Sequence, residues 1–149
     1  MEEKMDKYET LRLGNQLCFP LYAVSKEIVK QYKPYLDELE LTYTQYIVMM
    51  VLWEHKQMNV KELGQWLYLD SGTLTPVLKK MEQKGLVKRT RSVEDERILN
   101  VTLTDKGDAL KERALIIPEK IGACIHLKKE EAGLLYDLLY KILDGLNIS

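Results

Sequence analysis

Apolar residues at helical spacing mark the first element: Leu17, Leu21, Val24 and Ile28 recur every three to four positions and predict a helix that stops before Pro34, because proline restrains the residue preceding it. Thr42-Tyr43-Thr44-Gln45 has capping-box form, in which the Thr hydroxyl and the Gln side chain each satisfy an unpaired amide. The apolar "YIVMMVLWEH" that follows predicts a largely buried second helix. Asn59-Val60-Lys61-Glu62 repeats the device before a short helix carrying Leu63, Trp66 and Leu67. In "LDSGTLTPVLKKMEQKG" another helix starts with capping candidates at Asp70, Ser71 and Thr73 and stops at Gly85. Pro76 suits only a first turn, which favours Thr73 as the N-cap.

The period then changes. Leu99, Val101 and Leu103 alternate with polar positions, and β-branched residues on either side of the charged "VEDER" predict two strands joined by an exposed loop. Thr104 or Asp105 caps a long helix bearing Leu110, Ala114, Ile117, Ile121 and Cys124, with a kink at Pro118. A final helix, residues 128 to about 146, presents Leu134, Leu135, Leu138, Leu139, Ile142, Leu143 and Leu146. That stripe is too wide for one small domain to cover. Apolar first and last helices flanking a compact middle are most economically buried against a second copy, which predicts a two-fold homodimer.

With 149 residues, 46% hydrophobic and 30% charged, the chain reads as one globular domain with a real core. The opening "MEEKMDKYET" lacks the apolar stretch of a signal peptide, and the longest apolar run, residues 46–53, is far below the roughly 20 residues a membrane span takes. The expectation is a cytoplasmic protein with no membrane association. In a reducing compartment the two distant cysteines, Cys18 and Cys124, are not a disulfide framework.

Charge changes the picture more. Residues 71–92 hold Lys79, Lys80, Lys84, Lys88, Arg89 and Arg91 against Glu82 alone, a local surplus of five in a chain whose net charge is −1. A basic stripe on an acidic body is the footprint of a phosphate-contacting surface, although on charge alone a solvated helix face explains it as well. Order decides between them. Helix, short helix, basic helix and β-hairpin in succession is the winged helix-turn-helix arrangement: a mainly α fold with a small β-hairpin wing. The DNA-binding region then spans about 42–110, and the helices in about 8–40 and 111–147 form the dimerisation region. Ser71, Thr73 and Thr75 become short donors at the start of the recognition helix, Lys79 and Lys80 phosphate contacts, and Arg89 and Arg91 part of the same cationic face. Asp95 sits two residues before Arg97, close enough to orient the guanidinium for the minor groove of double-stranded DNA.

"LCFPLY", "YKPYLDELELTYTQY", "LYLDSGTLTPVLKKME" and "RTRSVEDER", in this order and at these intervals, resemble the MarR family of bacterial transcriptional regulators, and within it the organic-hydroperoxide-sensing OhrR/SarZ-like branch. The resemblance runs from residue 16 to about 110 and is weaker in the last two helices. It implies a dimeric repressor that binds a pseudo-palindromic operator and releases it when its N-terminal cysteine is oxidised. Cys18 matches the reactive cysteine, Tyr32 and Tyr43 match tyrosines that hydrogen-bond it from the partner subunit, and Asp95 and Arg97 match the minor-groove reader. Tyr22, one turn after Cys18, lines the same pocket on this reading. Some members use a second, late cysteine from the other subunit to form an intersubunit disulfide, and others need a low-molecular-weight thiol. Cys124 stands about where the resolving cysteine is expected.

The residues make a case for Cys18 without the family. The thiolate is the reactive form, and a helix N-terminus or neighbouring donors stabilise it. Pro20 places the helix start near Phe19 and Cys18 at its positive end; a helix that starts earlier and is kinked by Pro20 is the alternative. Cys124 continues the Ile117 and Ile121 stripe, so a packed core cysteine stays open beside the resolving role. "LDSGT" is also the signature of aspartic proteases, but helical character follows it where that fold needs strands and a flap. His55 and His126 have no metal spacing, and there is no glycine-rich phosphate loop or nucleophile elbow. No enzyme activity, cofactor or metal is expected. The remaining alternative is a regulator released by a small aromatic ligand.

Overall fold

The computed structural model describes residues 6–146. Two short 3₁₀ turns, Glu9–Leu11 and Leu13–Asn15, lead into seven helices and three strands in the order α1 (Cys18–Glu38), α2 (Tyr43–His55), β1 (Gln57–Asn59), α3 (Val60–Leu67), α4 (Ser71–Gln83), β2 (Val87–Arg91), β3 (Leu99–Leu103), α5 (Asp105–Ala114), α6 (Ile116–Cys124) and α7 (Lys129–Gly145). The capping box at Thr42 and Gln45 forms with both reciprocal bonds, Asn59 caps α3, and Thr104 caps α5.

Val48, Met49 and Leu52 of α2, Leu63 of α3, Leu74, Leu78 and Met81 of α4 and Val101 of β3 are completely buried. They form one core under the α3–α4 pair and the sheet. The strands are antiparallel in the order β1-β3-β2, with Met58 and Arg89 on either side of Val101. The β2–β3 hairpin was expected from its alternation. β1 was not, because three residues are too short to show a period.

Three boundaries differ from the sequence expectation. α1 runs through Pro34 to Glu38 instead of stopping before it. The Lys30 carbonyl that loses its partner lies on the exposed side, while Leu36 and Leu39 beyond it are buried, so packing of the last turn outweighs the missing bond. α4 is capped by Asp70 and not by Thr73: the Asp70 carboxylate accepts from the Thr73 amide at 2.7 Å. Pro76 is tolerated inside because the carbonyl it leaves unserved belongs to exposed Gly72. The long helix after Thr104 breaks at Leu115, where Pro118 cannot donate to the Ala114 carbonyl, and resumes as α6.

Candidate nucleic-acid interface and thiol site

The α3–α4 turn is built tightly. Tyr68 closes α3 in a left-handed conformation, φ 55°, and a side chain on Gly64 would sit 2.5 Å from the Leu69 carbonyl oxygen, so only glycine fits there. Asp70 then starts α4 with Leu74, Leu78 and Met81 turned inward and Ser71, Thr73, Lys79 and Lys80 exposed. Neither Lys79 nor Lys80 has an ion-pair partner among the described residues, which leaves both ammonium groups for an external anion. Thr75 donates its hydroxyl to the Ser71 carbonyl at 2.7 Å, so toward a ligand its oxygen is an acceptor, where a donor had been expected.

Arg89 points elsewhere. Its backbone amide donates to Glu82 at 2.8 Å and its guanidinium to the same carboxylate at 3.2 and 3.3 Å, with the side chain only 20% exposed. The Arg89 amide, then its side chain, hold the Glu82 carboxyl below its usual range. Arg89 thus ties β2 to α4, and Lys88, Arg91 and Arg97 are exposed cations of the wing. Arg91 braces the loop by donating to the Glu96 carbonyl at 3.0 Å. Arg97 donates to Asp95 from its amide, Nε and Nη2 at 3.0, 3.0 and 3.1 Å, yet its side chain stays 90% exposed. The guanidinium lowers the Asp95 carboxyl's pKa through these bonds. Between wing and α4 opens a groove of about 1050 Å³ lined by Asn59, Lys61, Ser71, Thr75 and Arg97. The arrangement offers an exposed helix start at Ser71 and Thr73, two exposed lysines further along α4 and an oriented guanidinium on the wing, which suits a polyanion with grooves.

Cys18 is the first residue of α1, exposed and unpaired, with Pro20 in the first turn. The helix starts within a residue of where Pro20 predicted it, so Cys18 sits in the first turn of α1, at the end whose backbone amides lack intrahelical partners. Tyr22 lies one turn on, 63% exposed, with the Lys26 ammonium 5.6 Å above its ring. Tyr32 and Tyr43 are not near Cys18 in the same chain: Tyr32 is 14 residues along α1, about 21 Å at the helical rise. They cluster with Tyr46, at ring separations of 5.0 Å between Tyr32 and Tyr43 and 5.7 Å between Tyr32 and Tyr46. Burial raises the pKa of Tyr32 and Tyr43, and burial together with these neighbours pushes Tyr46 up to about 12. All three phenols remain protonated, and therefore donors, at neutral pH.

Cys124 ends α6 and is exposed, with its thiol 3.4 Å from the Lys120 carbonyl. Within one chain it is not a packed core residue; Ile117 and Ile121 fill that role alone. It lies with His126 along a groove against Val24, Ile28 and Gln31 of α1. Two residues escaped the sequence reading. Lys84, counted there as part of the basic stripe, turns inward to the Glu40 carbonyl and to Gln45 Oε1, and Arg113 donates to the Glu38 carbonyl at 2.7 Å. The capping glutamine was the only signal for the first, and nothing in the sequence marked the second.

The family model for the transcriptional regulator SarA/Rot matches residues 30–114. The organic hydroperoxide resistance transcriptional regulator of Bacillus subtilis is 50% identical over 142 residues, 95% of this chain and 97% of that protein. The chain belongs to the MarR family, in its OhrR/SarZ-like branch. SarZ of Staphylococcus aureus is 47% identical over 125 residues, 84% of each chain. Among solved structures, reduced AbfR bound to DNA superposes with a TM-score of 0.75 at 39% identity over 92% of this chain and 96% of that one. Disulfide-formed AbfR, from the protein of Staphylococcus epidermidis, gives 0.67 at 39% identity over 93% and 95%. The winged helix of this MarR-family chain is thus the fold seen on DNA in a relative, and its two thiols lie at the ends of two different helices.

Proposed function

We propose that the chain is a homodimeric DNA-binding repressor that senses organic hydroperoxides through Cys18. The observation that carries this is an exposed thiol in the first turn of α1, in a chain whose α4 and wing carry exposed cations. Residues 42–110 read DNA, with Ser71, Thr73, Thr75, Lys79, Lys80, Arg91, Asp95 and Arg97 at the interface and Arg89 in support through Glu82. Residues 8–40 and 111–147 pair the subunits, because the apolar residues of α7 are exposed on an isolated chain. Pairing also brings the partner's Tyr32 and Tyr43 to the thiol that one chain keeps them from. No helix of the described residues is long and apolar enough to cross a membrane.

In the chemical step the Cys18 thiolate attacks the distal peroxide oxygen, the O–O bond breaks, and the leaving alkoxide takes a proton to become an alcohol. The sulfur becomes a sulfenic acid, with tyrosine hydroxyls as donors at its pocket. A second thiol, Cys124 of the other subunit or a low-molecular-weight thiol, then forms a disulfide with loss of water. A disulfide holds two α-carbons within about 7 Å, so bridging the helix ends displaces the dimer arms and respaces the recognition helices. The pseudo-palindromic operator is released.

Fluorescence anisotropy on DNA from upstream of the protein's own gene tests this. A stoichiometric organic hydroperoxide should release wild type and leave Cys18→Ser bound. If both proteins bind DNA and neither is released by the hydroperoxide, the second reading takes its place, a regulator released by a small aromatic ligand, for which the groove beside Tyr68 gives room.

A further inference from the structure

We propose that Lys84 is the positioning residue that couples the sensing helices to the DNA-reading helix; this rests on the reading above. Lys84 closes α4, and its ammonium, unlike those of Lys79 and Lys80, is bonded to another part of the chain. It donates to the Glu40 carbonyl, in the turn between α1 and α2, and to Gln45 Oε1 at 3.1 Å, in the first turn of α2. Both acceptors are fixed. Glu40 holds a left-handed conformation, φ 56°, which sets the direction of its carbonyl. Gln45 is the buried polar side chain of the core, 2% exposed, and its Oε1 also accepts from the Thr42 amide at 3.1 Å.

The far side of the junction is tied as well. Lys106 donates to the Lys84 carbonyl at 2.8 Å, and the Thr104 hydroxyl to the Gly85 carbonyl at 2.6 Å, so the end of α4 is gripped by α5. Among the described residues, the side-chain hydrogen bonds that join α4 to α1 and α2 all come from Lys84.

The position of this knot matters. α1 carries Cys18 at one end and Tyr32 near the other, and α2 begins with Tyr43, next to Thr42 of the capping box. A change at the partner's sulfur that moves Tyr32 and Tyr43 moves the α1–α2 turn. Apolar packing between α2 and α4 is non-directional and tolerates a small slide. A half-buried ammonium that donates at once to the Glu40 carbonyl and to the buried Gln45 amide oxygen does not, because hydrogen bonds fix both distance and direction. Lys84 therefore drags the recognition helix with the turn. On the reading above Lys79, Lys80 and Arg91 of the basic stripe contact DNA, and this lysine reports to them.

The test compares operator affinity of reduced and hydroperoxide-treated protein for wild type, Lys84→Met and Lys84→Arg, by anisotropy across a salt series. Reduced Lys84→Met should bind within about threefold of wild type, since a substitution away from the contact face changes little. Its salt slope should be unchanged. Its loss of affinity on oxidation should shrink by about tenfold or more, the usual size of a coupling between two sites, and Lys84→Arg should restore most of that loss. A Lys84→Met that is released as fully as wild type overturns the proposal, as does a shallower salt slope in its reduced form, which would make Lys84 a phosphate contact. If wild type itself fails to respond, the peroxide-sensing reading falls instead. Amide exchange on wild type covers a variant that does not fold: residues 71–84 should quicken on oxidation together with 38–45, and a change confined to 38–45 counts against coupling.

Discussion

Arg97 reaches into solvent with its guanidinium already clamped side-on by Asp95, so a large part of the rotamer entropy of binding is lost before DNA arrives. Arg97→Ala should weaken operator binding about tenfold or more, as for one good groove contact. Asp95→Asn should weaken it less, because the cation remains and only its aim is relaxed. Equal affinity for wild type and Arg97→Ala in an anisotropy titration would remove the wing from the interface. The pair also carries a pH dependence. Because Arg97 lowers the Asp95 carboxyl, the order it gives the wing is fully present above the ordinary carboxylate pKa and is lost as pH falls through the lower folded value. This pair was legible in the sequence, since two residues in a turn can hardly avoid each other. Arg89 and Lys84 were not: a charge count shows how many cations a segment holds but not that a glutamate one helix back, or a carbonyl 44 residues away, turns two of them inward. Pro20 put the helix start near Phe19, within a residue of Cys18, while leaving an earlier start open, whereas the distance from Cys18 to Tyr32 needed the full length of α1.

At the scale of elements, the caps decide where the helices begin. Asp70→Ala removes the acceptor for the Thr73 amide and should lower stability by about 1 kcal/mol, read as a shift in the urea midpoint at constant slope. An unchanged midpoint would mean that the α3–α4 turn is held by Gly64 and Tyr68 without it. Most elements were legible because their periods are long: α2, α4, α7 and the hairpin lie close to where alternation and helical spacing put them. The misses share a cause. Pro34 and Pro76 read as boundaries because local rules see the missing amide and not the burial of Leu36, Leu39, Leu78 and Met81 that outweighs it. β1 exists only because β3, more than 40 residues later, offers an edge for it to pair with.

For the whole molecule the issue is where the last helix belongs. Every residue of α7 except Leu143 is exposed on the isolated chain, including Leu135 and Leu139, one turn apart on one face. Leu135→Asp with Leu139→Asp should convert the dimer to monomer in sedimentation velocity and weaken operator binding about a hundredfold or more, because the second half-site no longer adds its effective concentration. A double variant that stays dimeric would place the subunit contact elsewhere. In the proposed dimer the partner supplies the apolar cover of α7, so the order of this helix is expected to rise with the number of copies present and to fall on dilution, while the α2–α4 core is complete within one chain. In the proposed dimer the order of the 17 residues of α7 thus follows how much of the protein is present.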